Sequence, residues 1–156
     1  MDENFSRWLM SSLAVYFKDV ADGIPLTYFV EGVDERSEDS MQVEHAELRV
    51  SGPFVTKVSH NYYRIHVDIN IMITDYMHMT KENAYTIATW GGKFLDAMLV
   101  QIPIYKYGDD ESLVGCLTVR KGFSDPVRLI HFGQVHKTDR IRQAVVDGKF
   151  EMFLTT

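Results

Sequence analysis

The sequence predicts an α+β domain whose mainly antiparallel sheet contains one long strand and is packed by two helices. Three observations lead there. Tyr63, Ile65, Val67, Ile69, Ile71 and Ile73 stand at every second position, separated by Arg64, His66, Asp68 and Asn70 and followed by Thr74. A period of two is that of a strand with one buried and one wet face. Two other stretches, near the N-terminus and after Thr80, repeat their apolar residues at three- and four-residue spacing, the period of a helix packed on one side. The rest of the chain breaks into short alternating runs punctuated by Gly and Pro. Runs of strands that do not alternate regularly with helices belong to the α+β class.

In chain order, Phe5, Trp8, Leu9, Ser12, Leu13, Tyr16, Phe17 and Val20 line one face of the first helix, and Gly23 and Pro25 stop it. Leu26 to Val30 suits a short strand. Glu31 to Gln42 is acidic and nearly free of apolar residues, so it is expected to be a mobile loop with too little apolar surface to offset the entropy of ordering. Val43 to Val50 alternates more weakly and is closed by Ser51-Gly52-Pro53, after which Phe54 to Val58 resumes an extended pattern. With the strand that follows, this reads as a curved antiparallel meander. At about 3.3 Å per residue the Tyr63–Ile73 run is roughly 35 Å long, enough to overhang the core of a small domain.

Thr80 is placed as the cap of the second helix, with Ala84, Ile87, Ala88, Gly91, Phe94, Leu95 and Met98 facing inward. Gly91-Gly92 inside it signals either close passage of another element or a kink. Ile104 to Tyr107, Leu113 to Val119, Val127 to Phe132 and a closing run through Phe150, Met152 and Leu154 complete the strands. Gly108-Asp109-Asp110-Glu111 is a polar turn, and Lys137 to Gln143 a polar connection, helical or bulged.

Length and charge narrow the function classes. The 156 residues, 46% of them hydrophobic, suffice for one core, so residues 1–156 are read as a single domain. A net charge of −6 argues against a broad phosphate-binding surface, which needs clustered Lys and Arg. It suits a surface past which DNA must slide without adhering. The N-terminus lacks the basic start and unbroken apolar core of a signal peptide, and no run of about 20 apolar residues is present to span a membrane. Cys116 stands alone, which excludes an intrachain disulfide, and its residue type in a strand reads as a small buried hydrophobe.

Signals for chemistry are weak. His66 and Asp68 share the wet face of one strand, and His131 and His136 are near in sequence, but no three ligands converge at metal-site spacing. His66 therefore reads as an ordinary polar strand residue. Neither a nucleophile elbow nor a phosphate-binding glycine loop occurs, and Gly91-Gly92-Lys93 lies mid-helix. Asp109, Asp110 and Glu111 read as a solvated turn. Tyr62, Tyr63, Tyr76 and Tyr85 fit core and interface roles better than base stacking, because no basic residues interleave them. The expectation is no catalytic, cofactor-binding or metal site.

The layout of N-terminal helix, acidic loop, long alternating strand, central helix and short C-terminal strands resembles the tail terminator or tail-completion proteins of long-tailed bacteriophages. The stretch Phe132-Gly133-Gln134-Val135-His136-Lys137-Thr138-Asp139-Arg140-Ile141-Arg142-Gln143-Ala144, continuing to Lys149-Phe150-Glu151-Met152, is similar to the ends of such neck proteins. The resemblance implies a virion protein without cofactor, assembled in the host cytoplasm into a homo-oligomeric ring, commonly a hexamer, at the head-proximal end of the tail tube. Its implied partners are the tail tube protein and the head connector or head-closure protein, with DNA passing through the bore unbound. A head-closure or adaptor neck protein is the neighbouring alternative. Outside that class stand a cytoplasmic small-molecule-binding α+β domain, which would need a deep pocket with perturbed titratable groups, and an adaptor that pairs through a strand edge.

Overall fold

The computed structural model describes residues 1–34, 44–76, 81–108, 111–134 and 141–155. Two helices, α1 (Phe5–Asp22) and α2 (Lys81–Met98), pack on one face of a mostly antiparallel seven-stranded sheet. Its strands are β1 (Thr27–Val30), β2 (His45–Ser59), β3 (Tyr62–Tyr76), β4 (Ile102–Lys106), β5 (Ser112–Val119), β6 (Val127–Gln134) and β7 (Ile141–Thr155). The class is α+β, as the patterns predict. The expectation of one long strand is corrected, because β2, β3 and β7 are each 15 residues long and lie side by side.

The core follows the two periods. Ile65, Val67, Ile69, Ile71 and Ile73 of β3 are buried on the helix side, joined by Ala46 and Leu48 of β2 and by Ala144, Val146, Phe150 and Met152 of β7. Onto them α1 lays Phe5, Trp8, Leu9, Leu13 and Phe17, and α2 lays Ile87, Trp90, Phe94 and Met98. Trp90 is a core residue that the helical spacing had not singled out. Tyr16 donates from its hydroxyl to the Ala97 carbonyl at 2.7 Å and ties the helices together. Ser12, buried in α1, accepts from the Tyr105 backbone N–H at 2.9 Å, so α1 covers part of the edge presented by β4.

Gly91 confirms one of its two expectations. A Cβ there would lie 2.7 Å from the Leu129 side chain of β6, so α2 passes close to the sheet at that point, and the helix continues unbroken to Met98. Gly92 faces open space.

Two local readings are corrected. Ser51-Gly52-Pro53 does not end a strand; it is a bulge inside β2, where the register against β3 slips between Ser51 and Phe54. Gly52 has φ +117, and a Cβ on it would meet the His66 carbonyl oxygen at 2.9 Å, which is why glycine stands there. The meander is antiparallel between β2 and β3, but β1 runs parallel to β2, with Thr27 opposite His45 and Val30 opposite Leu48. Of the segment expected to be a mobile loop, Glu31 to Asp34 forms a turn. The Val30 carbonyl accepts from Val33 and Asp34 at 3.1 Å, and the Asp34 carboxylate accepts from the Val30 N–H at 2.7 Å. The remainder of that segment, the Thr80 cap, Asp109-Asp110 and residues 137–140 lie outside the described residues. Ile141 to Gln143, expected in a polar connection, begin β7.

Candidate assembly surface

The face of the sheet opposite the helices is polar because the even positions of β3 pair with polar positions of β7: His66 opposite Glu151, Asp68 opposite Lys149, Asn70 opposite Asp147. Its densest cluster centres on Glu151, which is almost wholly buried. Arg64 donates to one carboxylate oxygen, Oε2, from both Nε (2.9 Å) and Nη2 (2.6 Å), and the Lys121 N–H approaches Oε1 at 3.5 Å. Burial alone would raise the Glu151 carboxyl; the Arg64 and Lys121 hydrogen bonds outweigh it and hold the pKa below the usual carboxylate value. His66 has Nε2 3.7 Å from the same oxygen, buried and without a hydrogen-bond partner among the described residues. Burial, helped by the Arg120 and Arg64 charges, pushes the imidazole pKa down against the pull of Glu151 and Asp68, so His66 is neutral at pH 7. His66 is thus not the solvated strand residue expected. Among the described residues no group of three His, Cys, Asp or Glu side chains is placed to hold a metal.

Beside this cluster the sheet carries an excursion. β5 and β6 lie along the same edge of β7: Thr118 and Val119 face Glu151 and Phe150, and Val127 faces Gly148. The residues between them leave the sheet and return. Lys149 of β7 anchors both ends, its carbonyl accepting from the Arg120 N–H and its N–H donating to the Pro126 carbonyl, each at 2.8 Å. The excursion folds over the polar face, where Phe123 is flanked by the Arg120 guanidinium (4.8 Å) and the Lys149 ammonium (5.5 Å). Between excursion and sheet lies an open groove of about 420 Å³, lined by Ser51, Asp68, Asn70, Asp125, Arg128, Asp147 and Lys149 among others. Its cations are engaged: Arg128 Nε bonds both Asp147 oxygens at 2.9 and 3.1 Å, and Lys149 lies 3.6 Å from Asp68. Three carboxylates against two cations leave the groove acidic.

The third part of the surface is an arm. Beyond Leu48, β2 has β3 on one side and, among the described residues, no strand on the other. From Phe54 to Ser59 every residue is exposed, including Phe54 at 54%, Val55 at 40% and Val58 at 55%. Phe54 pairs with His66 and so lies on the polar face, whereas Val55 pairs with Ile65 and lies on the helix face. At the tip of the arm Tyr62, opposite Ser59, stacks on Phe153 of β7, ring centroids 5.4 Å apart. Residues 48–67 hold Arg49, Lys57 and Arg64, three of the 16 cations, and none of the 22 carboxylates, so the rest of the chain carries −9.

At the far end of the sheet the alternation of β3 fails: Thr74 and Asp75 are both buried. Neither Asp75 oxygen has a hydrogen-bond partner among the described residues, nor does Nη1 of Arg142, its neighbour across β7. Burial and the nearby Glu44 carboxylate raise the Asp75 pKa to about 6, against the opposing pull of Arg142. This group was missed because its burial depends on tertiary neighbours that the sequence pattern does not reveal.

Of the residues weighed earlier, Cys116 is a half-buried β5 residue, Tyr85 is exposed, and His131 lies exposed on β6. His136 lies outside the described residues. No described helix is long and apolar enough to cross a membrane.

No protein-family model matches the chain, and no curated protein matches it. Solved structures share the fold. One of them, whose name describes no activity, ligand or partner, superposes with a TM-score of 0.56 over 94% of this chain and 94% of its own, at 10% identity. At that identity the likeness concerns the fold alone.

Proposed function

We propose that the protein is a structural virion protein that forms a ring at the head-proximal end of a phage tail tube, ends tube polymerisation and joins tail to head. The observation that carries this reading is the β2 arm, an overhanging strand with exposed apolar residues on both faces and one edge unpaired among the described residues. Long exposed apolar edges are aggregation hazards that folded proteins guard or cover. Here Lys57 and two bulges guard the edge, while Phe54, Val55 and Val58 remain available to a specific neighbour. The acidic balance of the chain suits a bore that DNA traverses, and the sequence resemblance to tail terminator and tail-completion proteins supplies the specific role.

Dilute subunits are expected to be monomeric and to form the ring on a tube end, which raises their effective concentration, or in free solution at high protein concentration. The test is negative-stain imaging of purified protein mixed with tail tubes, with caps on one tube end as the expected result. Bare tube ends, together with strict monomers by light scattering at high concentration, would overturn the proposal. The open acidic groove favours a second reading, a small-molecule-binding domain. Thermal-shift screening separates the two, since only the second expects a small ligand to raise the melting temperature without tubes present.

A further inference from the structure

We propose that the β2 arm of one copy seats in the acidic groove of the next copy, with Lys57 delivered to the carboxylates of Asp68, Asp125 and Asp147 and with Val55, which shares the Lys57 face of the strand, against the exposed Phe123. This rests on the ring reading and names the contact that would build the ring.

A second copy is favoured as occupant because the chain itself carries both halves of a complementary pair. The arm, Phe54 to Ser59, carries one cation and no carboxylate and is half apolar, within a protein whose remainder carries −7. The groove has a surplus carboxylate and an exposed aromatic residue on its rim: Phe123 is 42% exposed, comparable with Val55 on the arm. The two halves lie on different parts of the same subunit, the arm running away from Ser51, where the groove begins. A contact between two different patches is heterologous, and repetition of a heterologous contact produces a closed ring when its rotation closes. The bulges at Ser51/Phe54 and Lys57/Ser59 interrupt the hydrogen-bonding register that simple strand addition needs. Recognition therefore falls to side chains and charge.

The experiment uses the full chain with the substitutions Lys57→Glu and Asp125→Lys, each alone and mixed in equal amounts, followed by sedimentation velocity at high protein concentration in low and high salt. Both positions are exposed, and thermal melts should match the parent protein. The parent should self-associate, less so at high salt as the charges are screened. Each variant alone should associate at least tenfold more weakly. The mixture should recover association, because the carboxylate introduced on the arm of one copy then meets the ammonium introduced in the groove of the other, while the reciprocal contact keeps its original charges. Unchanged association of either variant, or no recovery on mixing, overturns the arm-in-groove contact while leaving a ring built through another surface. A parent protein that stays monomeric at every concentration also overturns this contact, and the tube-capping experiment then judges the ring reading separately.

Discussion

The two halves of β2 occupy opposite environments, and their residue types are the reverse of what those environments suggest. His45 and Glu47 in the first half are 4% and 3% exposed, whereas Phe54 and Val58 in the second are 54% and 55% exposed. The difference is in the neighbours. His45 to Leu48 lie between β1 and β3, and His45 is further enclosed by the rings of Phe29 and Tyr76, 5.8 and 6.0 Å away. Among the described residues, the arm has β3 alone. Burial within one strand is thus set by how many elements flank it. On the proposed reading, the apolar residues left on the singly flanked half are a surface for another molecule rather than a failed core.

The strongest way to test this division is to charge the doubly covered region. Ile69 is buried between sheet and helices, and Ile69→Asp would bury an unpaired carboxylate at a cost of several kcal/mol, against a total domain stability of about 5–15 kcal/mol. Little folded protein should survive, as judged by circular dichroism and soluble yield; a cooperative melt near the parent's would show the helix face to be open.

A milder comparison sets Leu48→Ala against Val58→Ala. The first empties a fully buried site and should cost about 2–5 kcal/mol, the second under about 0.5 kcal/mol, measured by urea denaturation. Equal losses would erase the distinction between the halves.

Asp75 sharpens the account of the buried end. Its carboxyl pKa is raised from 3.8 to about 6, so the folded chain holds that proton more tightly than the unfolded one. This group's contribution is favourable below about pH 4, is lost as pH rises through about 6, and does not return above it. Asp75→Asn should therefore raise stability at pH 7.5 by up to roughly 3 kcal/mol, with the gain vanishing near pH 4. Melts across that pH range decide it, and a loss of stability at pH 7.5 would mean that the charged form has an unrecognised partner.

The smallest effect is expected at Asp68, whose contact with Lys149 is an exposed 3.6 Å pair. Such pairs contribute at most about 1 kcal/mol, and Asp68→Lys should shift stability by about 0.5 kcal/mol or less. On the proposed ring reading, any functional effect should appear in tail joining instead. A loss as large as that from Leu48→Ala would mean that the polar face is structural.

Period carried much of the fold into view from the sequence. The β3 alternation placed Ile65 to Ile73 in the core because that strand is covered on one face by helices and open on the other, the arrangement to which a period of two belongs. Phe150, Met152 and Leu154 revealed the end of β7, but its beginning was hidden: Gln143, Asp147 and Gly148 pair with β3 and β6 through backbone bonds that carry no sequence signature. Ser51-Gly52-Pro53 looked like a stop because turn residues and bulge residues are the same types. The polar cluster was half legible. Arg64, His66 and Asp68 were visible as the wet face, but Glu151 stands 87 residues from Arg64 and only the β3–β7 register unites them. The groove was not legible at all, since nothing in the sequence tells that β5 and β6 share an edge of β7.

That shared edge bears on protein engineering. Because one residue, Lys149, clasps both ends of the Arg120–Pro126 excursion through its own N–H and carbonyl, the length of chain between the ends is uncoupled from the pairing of β5 and β6 with β7. Loop closure grows slowly with length, each doubling costing only about 0.6 kcal/mol. Gly122 is exposed, with φ +94 and open space around its Cα. An affinity tag or reporter peptide inserted beside it would be displayed on a clamped stem, leaving both chain termini untouched.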